Sequence, residues 1–245
     1  MNVGYAEALK AYKDFECFIF HDVDLLSENL GNYYMCDKNP KQLGPVLKKP
    51  QYKEYKAKYG NHMGGAAAIS KKALQKVNGW SNEFWGWGME DDDLSRRLRS
   101  IGGYKILRTP NKLGRQTMLP HKDRGEAKNP FNYCRSYVYR RSFTDNGWQR
   151  DGLSTLNYSV IELNVHPTHY HVIVDLNERE SLEKLEAEDY CEKKKRAKER
   201  VERKRISEKL VKEVYKTYEN SMKNQFEFNI TETSENMSQT NKTET

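Results

Sequence analysis

No stretch of this chain approaches the roughly 20 consecutive apolar residues that a membrane-spanning helix needs. The amino terminus, with Glu7, Lys10, Lys13 and Asp14, lacks the hydrophobic region of a signal peptide. Apolar residues are scarce throughout: 36% of the 245 residues are hydrophobic and 31% are charged, too polar a balance for one compact body of this length unless part of it is solvated. The deficit is greatest at the end, since residues 220–245 carry almost no apolar side chains and are expected to be disordered. Cysteine is sparse too, at four. Together with the glycosylation sequons at Asn157, Asn229, Asn236 and Asn241, those four suggest a lumenal protein.

Charge of one sign is present, at a net +7, but its distribution argues against a nucleic-acid partner. Much of it lies in residues 193–205, where Glu199 and Glu202 interrupt the basic run and acid-rich neighbours flank it. A solvated helix fits that pattern, and a basic-helix binding module stands as the minor alternative.

What remains reads as an α/β domain followed by a charged helix. Residues 15–20, FECFIF, form a short apolar run that ends in His-Asp-Val-Asp, as a buried strand does on reaching a surface. Asp22 and Asp24 thus fall at a strand's carboxyl end, where open α/β sheets bind ligands. Gly64 and Gly65 lead into AAAIS, a helical pattern follows over residues 71–77, and Asn78-Gly79 closes it. The run FWGWGMEDDD continues into Leu94, Leu98 and Ile101 at helical spacing, so the acidic cluster occupies a helix's first turn and suits its dipole. Strands are expected over residues 104–107 and 169–176, and a charged helix over 177–219.

Asp-x-Asp at a strand end offers hard oxygen ligands for Mg²⁺ or Mn²⁺, although such pairs more often serve as loop residues with local hydrogen bonds. WGWGMEDDD is more specific. Four successive carboxylates repel one another, so a cation or hydroxyl-rich ligand belongs nearby. Glycines beside tryptophans let the backbone approach that ligand while flat apolar faces stack on a sugar ring, and carboxylates bind hydroxyls or accept a proton. A carbohydrate site explains the motif better than two core tryptophans ahead of an acid-rich helix start.

The blocks MNVGYAEAL, CFIFHDVDLL, GGAAAISKKALQKVNGWSNEFWGWGMEDDDLSRRL and TMLPHKD resemble, in order and nearly in spacing, consecutive blocks of the β-1,4-galactosyltransferase family, over about residues 1–176. The resemblance implies a glycosyltransferase-A type fold, lacking here the strands that precede the first block in the family, and a membrane-anchored Golgi enzyme in a longer form. It implies Mn²⁺ held by Asp24, Met118 and His121, although a thioether is a soft partner for so hard an ion. Donor contacts carried over from the family are Asp22, Val23, Asp24, His62, Gly65, Trp87 and Glu90. Those on the acceptor side are Tyr59, Trp87, Gly88, Asp91 and Asp92. Asp91 is the implied catalytic base, and Cys17 and Cys36 the implied disulfide, worth roughly 3 kcal/mol through the unfolded chain. The resemblance names no partner for Cys134 or Cys191.

His62 stands where family galactosyltransferases carry Tyr and N-acetylgalactosaminyl relatives a smaller aliphatic residue, so UDP-galactose or UDP-N-acetylgalactosamine is the expected donor. The acceptor is a glycan, with N-acetylglucosamine as the default. The competing reading is a catalytically inactive fragment that serves as a sugar-binding or interaction protein.

Overall fold

The structure, a computed structural model, describes residues 1–213 and 216, apart from residues 52, 59, 87, 121–133, 145, 189, 194 and 198. The chain divides into two units, Met1–Glu192 and Lys193–Thr245. The described residues of the second are helical and, Lys195 apart, exposed where their burial is described. No helix among the described residues is long and apolar enough to cross a membrane.

The first unit is mixed α/β. Helix α1 (Asn2–Ala11) precedes β1 (Cys17–His21), the strand foreseen in the FECFIF run but shifted toward His21. Short strands β2 (Leu25–Ser27), β3 (Lys41–Gln42), β4 (Val46–Lys48) and β5 (Lys56–Ala57) follow, then β6 (Ala66–Ser70), α2 (Lys71–Lys76) and α3 (Glu90–Arg96), which continues as a π turn over Arg97–Ile101. Beyond lie β7 (Leu107–Arg108), β8 (Arg115–Met118), α4 (Arg135–Arg141), β9 (Ser159–Val165), β10 (Tyr170–Asp175) and α5 (Glu178–Glu186). One four-stranded sheet has the order β1-β6-β3-β7 and a second the order β2-β8-β4-β5, while β9 and β10 form an antiparallel hairpin.

The AAAIS segment ahead of the expected helix is the central strand β6. Ser70 caps the helix that follows, its hydroxyl accepting from the Ala73 amide at 3.2 Å. Small side chains let β6 be buried on both faces. Ala67 and Ile69 join a core with Tyr5, Phe18, Leu74, Val77, Trp80, Leu94 and Leu98, whereas Ala66 and Ala68 pack with Leu43 on the other side. Burying Leu94 and Leu98 fully is worth about 1.5–3 kcal/mol each. The strand expected at 104–107 is displaced to Leu107–Arg108, because Tyr104 packs against the core and its amide donates back to Leu98.

Contacts distant in sequence fasten this core. Asn2 donates to the Trp80 carbonyl at 2.7 Å and accepts from the Trp80 amide at 3.0 Å, tying α1 to the turn after α2. Disulfides join Cys17 to Cys36, the pairing implied by the resemblance, and Cys134 to Cys191, a pairing it did not name.

Candidate active site

The Asp22-Val23-Asp24 turn is held from two sides. His21 pairs with Ala66 at the end of the β1–β6 ladder, and the Asp22 amide donates to the Gly65 carbonyl at 2.7 Å. On the other side Leu25 pairs with Met118 in the β2–β8 ladder, and the Leu119 amide donates to the Asp24 carbonyl at 2.7 Å. Residues nearly a hundred positions apart are thereby brought together: Asp24 immediately precedes β2, and Met118 ends β8 opposite Leu25. Val23, at the tip, is 98% exposed.

Gly64 and Gly65 form the second wall. A methyl group on Gly64 would overlap the Asp91 carboxylate and the His62 ring, so both side chains lie directly against the bare Cα. Gly65 has φ +88°, a backbone that favours glycine, and a methyl there would overlap the Lys58 ammonium. Lys58 Nζ donates to the Gly64 carbonyl at 3.0 Å. His62, Lys58 and Asp91 thus converge on one glycine pair, beside the amide that starts the Asp-Val-Asp turn. The buried Ser95 hydroxyl of α3 donates to the Asn61 carbonyl and fixes this loop against the helix that carries Asp91.

The electrostatics follow from that crowding. Burial, then the neighbouring charges of Glu90 and Asp22, push the Asp91 carboxyl up to about 7 against the opposing pull of Lys58. Burial lowers the Lys58 ammonium, which Asp22 and Asp91 hold up. Burial first, and the charge of Lys58 next, bring His62 down to about 4, so its imidazole is neutral at pH 7. Glu90 Oε2 is buried and has no hydrogen-bond partner among the described residues. Gly88 has φ +102° and Asp92 is half-buried in the first turn of α3.

The four-carboxylate run divides in two. Asp93 turns inward and is wholly buried, with Arg97 Nε 2.6 Å from its Oδ2. Arg97 also donates to the Asp151 carbonyl at 2.7 Å and to the Ser142 hydroxyl at 3.0 Å, with its Nη2 3.3 Å from Asp151 Oδ2. Asp93 is therefore structural. Its i,i+4 spacing to Arg97 was visible in the sequence, but nothing there pointed to Asp151.

Of the metal ligands implied for this site, Asp24 immediately precedes β2 and Met118 ends β8 opposite Leu25, so the backbone brings the two positions close. The third implied ligand, His121, lies outside the described residues, as do Tyr59 and Trp87. Among the described residues no group of three or more His, Cys, Asp or Glu is arranged to hold a metal ion. The implied set contains only two residues of those types.

Comparison with known proteins places this geometry. A family model described as the N-terminal region of glycosyl transferase group 7 matches residues 1–37, and one described as the N-terminal domain of galactosyltransferase matches residues 45–122. Beta-1,4-galactosyltransferase 4 of Homo sapiens is 39% identical over 176 residues, covering 71% of this chain and 48% of the relative. Beta-1,4-galactosyltransferase 3 of Bos taurus is 35% identical over 178 residues, covering 72% and 42%. The chain thus spans about half the length of the curated relatives it matches. The catalytic domain of Drosophila beta-1,4-galactosyltransferase 7, in complex with xylobiose, superposes with a TM-score of 0.53 at 25% identity, covering 72% of this chain and 74% of that one. A mutant of the same enzyme in complex with manganese, UDP-Gal and xylobiose gives 0.50 at 24% identity, with the same coverage. The mixed α/β architecture is accordingly of the glycosyltransferase-A type.

Proposed function

Because the chain belongs to the β-1,4-galactosyltransferase family, we propose that it carries the acceptor-activating half of an inverting hexosyltransferase, one that takes galactose or N-acetylgalactosamine from a UDP-sugar. The observation that carries this reading is the Asp91 carboxyl, half-buried against Gly64 and pushed up to about 7. A general base works best when its pKa lies near the operating pH. Asp91 takes the proton of the acceptor hydroxyl as that oxygen bonds to the anomeric carbon. The bond from that carbon to the UDP oxygen breaks from the opposite face, and the configuration inverts. No covalent enzyme intermediate forms.

The other residues bind and orient. The buried, unpartnered Oε2 of Glu90 suits a sugar hydroxyl, and Asp92 lies one residue beyond the base for another. The neutral His62 sits against Gly64, where it borders the donor's 2-position and sorts one sugar from the other. Asp24 and Met118, with His121, would hold Mn²⁺, which when bound neutralises diphosphate charge. The solved Drosophila relative bound to manganese and UDP-Gal is compatible with that assignment. Two disulfides agree with a lumenal compartment, and the Golgi is the proposed one.

Asp91→Asn tests the reading. Turnover should fall by about 10²–10⁴-fold while UDP-sugar binding stays within a few-fold of the unmodified protein, because the lost group acts on the acceptor proton. Near-normal turnover would remove Asp91 from the mechanism, whereas no turnover in the unmodified protein would favour an inactive sugar-binding protein.

A further inference from the structure

The stretch after the β9–β10 hairpin, rich in charge, packs back onto the segment that leads to Asp91. Trp85 Nε1 donates to the Ser181 hydroxyl of α5 at 3.0 Å. Arg141 on α4 contacts Glu83 with one guanidinium nitrogen and Glu188 with the other, the latter at 3.1 Å. Glu83, two residues before Trp85, and Glu188 therefore share one cation. Tyr137 donates to Glu188 at 2.8 Å and stacks on Tyr190 with ring centroids 5.3 Å apart. Leu185 and Cys191 are buried, and Cys191 is bonded to Cys134 just ahead of α4.

These anchors matter because of what lies between Trp85 and the base. Gly86, Gly88 and Met89 have φ of +78°, +102° and +75°, so three of the described residues there are left-handed, two of them glycine. Glycine loses the most conformational freedom on being fixed, so such a stretch depends on its ends for a defined path. At one end α3 and the π turn that continues it are packed into the core through Leu94 and Leu98. At the other, Trp85 is held by Ser181.

We propose that residues 178–191 form a positioning element for the transfer site, with Ser181 holding Trp85 and the Cys134–Cys191 bond holding the element to α4. The consequence for catalysis rests on the transfer reading above; the anchoring itself does not. The full chain, its Ser181→Ala and Ser181→Thr variants, and a Cys134→Ser/Cys191→Ser double variant would be compared by hydrogen exchange of the amides of residues 84–90 and by steady-state kinetics. Losing one net hydrogen bond corresponds to a change of roughly 2- to 12-fold. Exchange in residues 84–90 should speed up by that factor in Ser181→Ala and by at least as much in the double variant, which loses a disulfide, while β1 and β6 stay protected. kcat should fall in parallel with the donor KM little changed, and Ser181→Thr should restore both readouts. Unchanged exchange in Ser181→Ala and the double variant overturns the anchoring, whatever the activity. Faster exchange with unaltered kcat and acceptor KM overturns the positioning role and leaves the segment a scaffold. If the unmodified chain transfers no sugar from either donor, the transfer reading fails together with the catalytic consequence, and exchange alone decides the anchoring.

Discussion

Gly64→Ala separates the architecture from the chemistry more cleanly than a change to a charged residue. Gly64 has no positive φ, so its backbone accepts alanine without strain. The added methyl would meet the outer atoms of Asp91 and the His62 ring, both side-chain ends that can turn aside. An ordinary van der Waals separation is about 3.5–4.0 Å, so the carboxylate has to retreat by more than ~1 Å from its present position. Misplacement of about 1 Å costs on the order of 10²-fold in rate, whereas turning one carboxylate aside costs the fold about 1 kcal/mol. The assay pairs initial rates of hexosyl transfer with urea unfolding. kcat should drop roughly a hundredfold with a stability loss of about 1 kcal/mol. Gly65→Ala provides the contrast, since its φ of +88° adds about 1–2 kcal/mol of backbone strain. A Gly64→Ala protein with unaltered kcat would show that the position of Asp91 against this glycine is irrelevant to turnover.

Other consequences are open to measurement. The acid limb of kcat/KM should rise through a pKa of about 7, because only ionised Asp91 can take a proton; Lys58→Met removes the charge that opposes the upward shift and should move the limb to higher pH. A limb unmoved by that substitution would detach Lys58 from the base. Arg97→Met leaves Asp93 buried without its cation and should cost about 3–5 kcal/mol in denaturant unfolding; a loss under about 1 kcal/mol would contradict the buried pair. His62→Tyr should favour UDP-galactose and His62→Leu UDP-N-acetylgalactosamine, as competition assays with the two donors would show; equal ratios across the variants would mean that this position does not select the sugar. Chelation with EDTA should abolish transfer, Mn²⁺ should restore it, and Asp24→Ala should weaken Mn²⁺-dependent UDP-sugar binding; calorimetry showing unchanged binding would remove Asp24 from the metal set.

Much of the site was legible because its signals are local. The FECFIF run ending in Asp-Val-Asp, the glycine pair ahead of AAAIS, and the acidic start of α3 each announce themselves within about ten residues. AAAIS was set apart from the helix starting at Lys71, but a run of mostly small residues buried on both faces shows no alternation to mark it as a strand. Polar contacts across long separations were invisible for a different reason. Nothing near Arg97 specifies Asp151, and nothing near Trp85 specifies Ser181 almost a hundred residues later. The same holds for Cys134 and Cys191, whose pairing depends on α5 turning back toward α4. Residues 178–191 read only as part of a charged helix because their docking uses shared ion pairs, a stacked tyrosine and one buried leucine instead of an apolar stripe.

The central claim, inverting hexosyl transfer driven by Asp91, is tested most directly by the anomeric configuration of the product. Protein containing this chain would be incubated with Mn²⁺, UDP-galactose or UDP-N-acetylgalactosamine and an N-acetylglucosamine acceptor, and the disaccharide examined by proton NMR. The account predicts a β-1,4 linkage made from an α-linked donor and lost in Asp91→Asn. An α-linked product, or β-linked product formed equally well by Asp91→Asn, would contradict it.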